Sequence, residues 1–474
     1  MFRSTSMILL FIFAAVGGVN QIAVGKSDGF PTYTETNALL NRILIDCHQL
    51  MRSQSIGRSF EGRDIDAYII NDLDSPEKKR NVLITSMMHP REPIGLLITL
   101  NLMRTICDMH VADQSIANVL KYITFYLVPI LNPDGFAFSD SNKLLNIRKN
   151  RRPGCDDPLK SGVDLNRNFG YHWEFNSDPC SEEFAGGFPF SEPETQALKA
   201  LTEEISFYTA LNFHSYGDIL THPFNFGKED LPETHRQFYD EVKTIFGFER
   251  VGPAHQVLGY TTTGESDDWL YAKRGILSMS PEIGPEQSGF YPPQEIAKKL
   301  VSDNLSRIFS IAELISNKLS ASIIEKDGLR YAAISNRSKR DSQELFLGIE
   351  GECSWNKIDL NESMALISGG ILIRELGSLP GESERSYPLP CIDTVKVCIK
   401  DLADCSCIGT VNTDVCSRLD DWLLASAILT SDIPILSSPI YKITIISIVL
   451  LSSALLCLSR LIKSNIYKGF HSLK

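Results

Sequence analysis

Val82-Leu83-Ile84-Thr85-Ser86-Met87-Met88-His89-Pro90-Arg91-Glu92 opens as a short apolar run and closes on two groups able to bind a metal. The run suits a buried strand. His89 and Glu92 stand three residues apart where that strand would stop, so an imidazole and a carboxylate can face one point. Together they supply two of the three protein ligands of a catalytic zinc. The pair is short, and a solvated loop after a strand would carry the same residues. A third ligand, a base and an anion clamp downstream decide between the two.

Outward from this stretch, strand-like and helix-like segments alternate. Leu40, Ile43, Leu44, Cys47 and Met51 recur at helical spacing, followed by a turn region at Gly57 and Gly62 and a strand over 65–70. Residues 95–109 read as a helix and 122–131 as a buried strand ended by an Asn-Pro-Asp-Gly turn. Helices over 192–205 and 292–315 and strands over 207–213 and 277–279 continue the pattern. The fold class expected is α/β: a mixed, largely parallel sheet with helices on both faces. Ligands of such sheets sit at strand ends. After about residue 325 the character changes. The segment 341–425 holds six cysteines and short apolar runs, which predicts a small Cys-rich β module.

The ends of the chain point to export. Residues 7–16 form an apolar run behind Arg3, followed by small residues, which reads as a signal peptide over 1–25. Residues 443–459 are apolar and uncharged, with Tyr441 and Lys442 before them and Arg460, Lys463 and Lys468 behind. That pattern predicts a transmembrane helix with a cytoplasmic tail over 460–474, hence a type I membrane protein at the cell surface or an endomembrane, its catalytic domain extracellular or lumenal. A glycolipid-anchor signal would end on the apolar stretch. Eleven cysteines, ten before the apolar segment, read as disulfides in an exported chain. Sequons stand at Asn304, Asn336 and Asn361, and Lys339-Arg340 is a dibasic pair. The chain has 474 residues and a formal net charge of −12, which weighs against a nucleic-acid partner.

Phe213-His214-Ser215-Tyr216 follows a strand far downstream and offers the missing ligand. Two histidines and a glutamate, with a fourth position open, form a catalytic zinc set. With this set the chain resembles the metallocarboxypeptidases related to the pancreatic A and B enzymes, over roughly residues 34–315. His89-Pro90-Arg91-Glu92 looks like the family's first ligand pair, with Arg91 contacting substrate. Arg148-Lys149-Asn150-Arg151 resembles the segment whose last arginine, here Arg151, polarises the scissile carbonyl. Asp164-Leu165-Asn166-Arg167-Asn168 is similar to the segment whose Asn-Arg pair grips the substrate's C-terminal carboxylate. Tyr260, nine residues before Trp269, falls where the family has its substrate-capping tyrosine. Pro281-Glu282-Ile283-Gly284 occupies the catalytic glutamate segment. Cys155 and Cys180 flank the Asn-Arg segment as a disulfide does in the pancreatic enzymes. Asp267, the first Asp of Asp-Asp-Trp, stands where the B-type enzymes have the floor of their specificity pocket, which implies a preference for C-terminal Lys or Arg.

The chemistry agrees with that assignment. Peptide hydrolysis at neutral pH needs an activated water, which one zinc on His89, Glu92 and His214 supplies. A carboxylate must take the proton and pass it to the leaving amine, the role expected of Glu282. The oxyanion needs fixed positive charge. Arg167's planar fork, with Asn166 and Tyr260, suits a free carboxylate, so the expected partners are peptide or protein C-termini. The catalytic pattern starts close to the expected cleavage site, leaving no room for a pro-domain, as in the regulatory N, E, M and D types. Two other readings compete: a catalytically silent binding module on the same fold, and hydrolysis of a non-protein amide.

Overall fold

The computed structural model describes residues 29–316, apart from 74, 76–78 and 144, together with eight strands between 319 and 408. The expected signal peptide, membrane helix and tail lie outside the described residues. Among those described, no single helix is long and apolar enough to cross a membrane. The chain divides into two compact units, Met1–Asn317 and Lys318–Lys474.

In the first unit α1 (Tyr33–Asp46) is followed by the hairpin β1 (Met51–Arg58) and β2 (Asp64–Ile70). Then come β3 (Arg80–Thr85), α2 (Ile94–Met109), α3 (Gln114–Tyr122), β4 (Ile123–Val128) and α4 (Pro133–Asn142). After a long irregular stretch follow α5 (Pro193–Glu204), β5 (Thr209–Asn212), β6 (Ile219–Thr221), α6 (Glu233–Phe246) and β7 (Arg250–Gly252). The unit ends with α7 (Ala254–Val257), α8 (Ser266–Arg274), β8 (Leu277–Glu282) and α9 (Gln294–Ile315). The strands form one eight-stranded sheet in the order β1-β2-β4-β3-β5-β8-β6-β7. Its centre, β4-β3-β5-β8, is parallel throughout, while β2 runs antiparallel to β4 and β6 to β8.

Strand alternation divides the core between the two faces. On β3, Val82 and Ile84 join the packing of α1, α2, α6 and α9, whereas Leu83 joins that of α5 and α8. On β4, Phe125 and Leu127 face the first layer, and Tyr126 and Val128 the second. Helix α2 packs so closely that a Cβ on Gly95 would lie 2.7 Å from Phe213 Cβ, so only glycine fits there. Two disulfides, Cys47–Cys107 and Cys155–Cys180, pin α1 to α2 and close the loop that carries Asn166 and Arg167. Both fit an oxidising, exported compartment.

Five details differ from the sequence pattern or add to it. Met51, read as helical, opens β1, and Gly57 lies inside that strand at a register shift, where a Cβ would stand 2.8 Å from Ala197 Cβ of α5. Asn-Pro-Asp-Gly does more than turn the chain: Asn132 caps α4, its side chain accepting from Gly135 N, with Pro133 in the first turn. Asn304 is fully buried in α9 and donates to Leu300 O at 2.7 Å, so that sequon offers no glycan site in the folded chain. The second unit's described strands begin at Leu319, ahead of residue 341, and form an antiparallel three-stranded and an antiparallel five-stranded sheet.

Candidate active site

Three adjacent parallel strands bring the expected site together at their carboxyl ends. His89 follows β3, and Glu92 stands just ahead of α2. His214 follows β5, and Glu282 closes β8. His214 and Glu282 form a parallel bridge in which His214 N donates to Pro281 O and Ile283 N donates to His214 O, both at 3.0 Å. The sheet's register therefore sets Glu282 beside the second histidine.

The donor set fits zinc. His89, Glu92 and His214 are all buried. His89 Nδ1 and His214 Nδ1 lie 3.1 Å apart, and Glu92 Oε2 stands 3.1 Å from the first and 2.8 Å from the second. Tetrahedral ligands on a zinc with bonds of 2.0–2.1 Å would be roughly 3.3 Å from one another. His89 Nε2 faces Asp164 Oδ1 at 3.0 Å, which assigns the ring proton to Nε2 and leaves Nδ1 as a lone pair. Lone pairs converging in a buried space need a cation, and these three residues form one zinc site.

Nothing in the sequence around Asp164 marks it as the partner of His89, although histidine ligands of metals regularly donate to a carboxylate. It is fully buried and also accepts from Arg148, Nε at 2.9 Å and Nη2 at 2.7 Å. Burial alone would raise its pKa, but Arg148 and His89 outweigh that and hold it well below the usual carboxylate range. Burial likewise opposes ionisation of Glu92, and the two histidines overcome it, lowering its pKa. Glu282 goes the other way. Burial pushes it up to about 7, with His214 opposing and the charge of Glu92 adding.

Of the arginines in 148–151, the one brought to this centre is Arg148. Its Nη1 is 3.4 Å from His89 Nδ1 and 3.8 Å from Glu92 Oε1, and its charge is felt by Glu282. Arg151 instead lies over the Phe138 ring, 3.6 Å from its centroid, and donates to Pro158 O. Arg148, three residues before Arg151, is thus the arginine of this run that stands beside the metal ligands.

Arg167 lies in the same site, its guanidinium reaching Asn166 O at 2.8 Å, Glu183 Oε1 at 2.7 Å and Glu265 Oε1 at 3.3 Å. Asn166 accepts from Ser266 N and Oγ through its side-chain oxygen, which ties it to the start of α8. Gly264 permits this closeness: its φ is +66°, and a Cβ would come within 2.3 Å of Arg167 O. Tyr260 is 55% exposed, and the charges of Arg167, Glu265 and Glu282 all reach its hydroxyl. Arg91 pairs with Glu182 at 2.9 Å and lies over Phe290. Asp267 is 1% exposed; its Oδ1 accepts from Asn212 of β5 at 2.6 Å, while its buried Oδ2 has no hydrogen-bond partner. Burial, with Glu265 and Asp268 nearby, raises its pKa well above the usual range.

Comparisons with known proteins agree with this geometry. Residues 36–307 match the family described as zinc carboxypeptidase. The chain is 31% identical over 281 residues to human carboxypeptidase A6, covering 55% of this chain and 62% of that protein. It is 29% identical over 277 residues to a protein of Ajellomyces dermatitidis described as an inactive metallocarboxypeptidase, covering 51% of this chain and 46% of that one. The carboxypeptidase A structure from Helicoverpa armigera superposes with a TM-score of 0.52 at 25% identity, covering 64% of this chain and 78% of that one. The chain thus spans under two thirds of the curated relatives' length. A family match over more than half the chain, with His89, Glu92 and His214 gathered at the ends of β3 and β5, establishes that the protein belongs to the zinc carboxypeptidase family.

Proposed function

We propose that the protein is an exopeptidase that hydrolyses the last peptide bond of peptides or proteins. The observation that supports this is Arg167, a buried guanidinium whose planar fork suits a free carboxylate and whose charge is felt by Asp164 beside the metal ligands. When bound, zinc supplies Lewis acidity, polarising a carbonyl and bringing the pKa of water from about 15.7 to about 7.

The chain's own residues do the rest. Arg167 orients the terminal carboxylate, with Asn166 beside it and Tyr260 over it, and the exposed Glu183 gives way as substrate enters. Arg148 stands to hold the oxyanion, its charge already fixed by Asp164. Glu282 takes a proton from water and returns it to the leaving amine. Its burial favours a pKa near the working pH, while the charge of zinc would draw it down. Residues 443–459 support the further reading of a membrane anchor, with the basic residues after them as the cytoplasmic flank.

The test is a pair of peptides differing only in a free or amidated C-terminus. The acid is cleaved and the amide is not, because the amide cannot pair with Arg167. Equal rates would point to an endopeptidase or a different hydrolase.

A further inference from the structure

Six cysteines stand between residues 341 and 425, and the strands of the second unit set three of them in one ladder. Strand Lys396–Lys400 pairs antiparallel with strand Cys405–Ile408, which ends the five-stranded sheet. Their register puts Cys398 opposite Cys407 and Lys400 opposite Cys405. Residues two apart on a strand share a face, so Cys398, Cys405 and Cys407 fall on the same one. The disulfides Cys47–Cys107 and Cys155–Cys180 of the first unit fit an oxidising compartment, in which these three would not remain thiols without reason.

Backbone geometry separates the candidate pairs. Residues directly opposite in an antiparallel ladder have Cα atoms about 4.5–5.5 Å apart, inside the roughly 4.4–6.8 Å window of a disulfide. Cys398 and Cys405 are diagonal neighbours, a relation that sets Cα atoms about 7–8 Å apart, past that window. Cys405 and Cys407 follow one another along one strand. Its rise spaces their Cβ atoms about 6.6–6.8 Å apart, where a disulfide needs about 3.5–4.5 Å.

We propose that Cys398 and Cys407 are joined by a disulfide that staples the end strand to its neighbour, and that Cys405 takes no part in it. The end strand is four residues long and pairs on one side only among the described residues, so few ladder bonds hold it. A slip of one residue would carry Cys407 to the other face, and the bond therefore also locks the register. It forms by thiol–disulfide exchange with a disulfide-bearing oxidant, a protein disulfide or oxidised glutathione. One cysteine thiolate attacks the donor disulfide and releases one donor thiol. The second cysteine then attacks the mixed disulfide and releases the other, so the two electrons and two protons leave with the donor.

The experiment uses the full chain exported from an oxidising cell, alkylated in denaturant without reduction, digested with trypsin and read by tandem mass spectrometry. Trypsin frees residues 397–400, whose cysteine is Cys398, and residues 401–418, which carry Cys405, Cys407 and Cys416. The two peptides are expected as one linked species that reduction separates, with fragments broken on either side of Ser406 assigning the bond to Cys407. Cys405→Ser keeps that link. Alkylated Cys398 in the parent, or Cys398 linked to any cysteine other than Cys407, overturns the proposal, as does loss of the link in Cys405→Ser. Should Cys405→Ser not be exported, the parental map decides alone.

Discussion

His89 Nε2 and Asp164 Oδ1 lie 3.0 Å apart, both buried, and the same carboxylate holds Arg148 at 2.7 Å. One acid therefore orients a metal ligand and fixes the cation nearest the metal. Asp164→Asn keeps the shape and withdraws the charge. Zinc affinity should fall about 10–100-fold, as loss of a partner behind a ligand does. Competition with a chelator measures it, and an unchanged affinity would deny Asp164 an orienting role.

Arg148 and Arg151 separate in their contacts, and they should separate in kinetics. Arg148→Ala is expected to lower kcat about 10²–10³-fold, the cost of a lost oxyanion donor, with a smaller change in KM. Arg151→Ala, which removes only the stack on Phe138 and the bond to Pro158 O, should keep near-parental turnover. The reverse result would return the role to Arg151.

Glu183 occupies Arg167 at 2.7 Å, but its side chain is 57% exposed and the pair is worth little in water. Glu183→Gln should lower KM by up to about fivefold, equally for every C-terminal residue, because it removes a competitor for the anchor. A change confined to basic substrates would mean that Glu183 reads the side chain.

The pH dependence of stability carries one separable contribution. Burial, with Glu192 adjacent, pushes Glu194 up to about 7, against hydrogen bonds from Phe60 N and Asn150. A raised acid is stabilising when protonated. Its contribution is complete below about pH 4.5 and is lost as pH rises toward 7, with no further change above. Glu194→Gln mimics the protonated form. Parent and variant should be alike near pH 4.5, and the variant more stable near pH 7.5 by an amount on the order of 3 kcal/mol. Denaturant unfolding at the two pH values checks it, and a constant difference would contradict it.

The strands that carry the chemistry were legible because each is a short apolar run that stops on a polar group: Val82–Thr85 before His89, Thr209–Asn212 before His214, Leu277–Ser280 before Glu282. β1 was not, since it pairs only with β2 at the sheet's edge and exposes Arg52, Ser53, Gln54 and Ser55 to water, so no apolar period marks it. Arg148 and Arg151 share a basic run, and only the path of the backbone chooses between them. Sequence order does not say which of the acids at the start of α8 is buried, and the fold buries Asp267 with Asn212 on one oxygen. Glu265 sits in a run of threonines and a glycine, where nothing local announces contact with Arg167 ninety-eight residues earlier.

The central claim is that His89, Glu92 and His214 hold the zinc while Glu282 moves the proton. Turnover per bound zinc in Glu282→Gln tests it most directly, with metal content and peptide cleavage measured on one preparation. The variant should retain one zinc per chain and lose about 10²–10⁴-fold in kcat, the typical share of a general base. Parental turnover with zinc bound would contradict the mechanism.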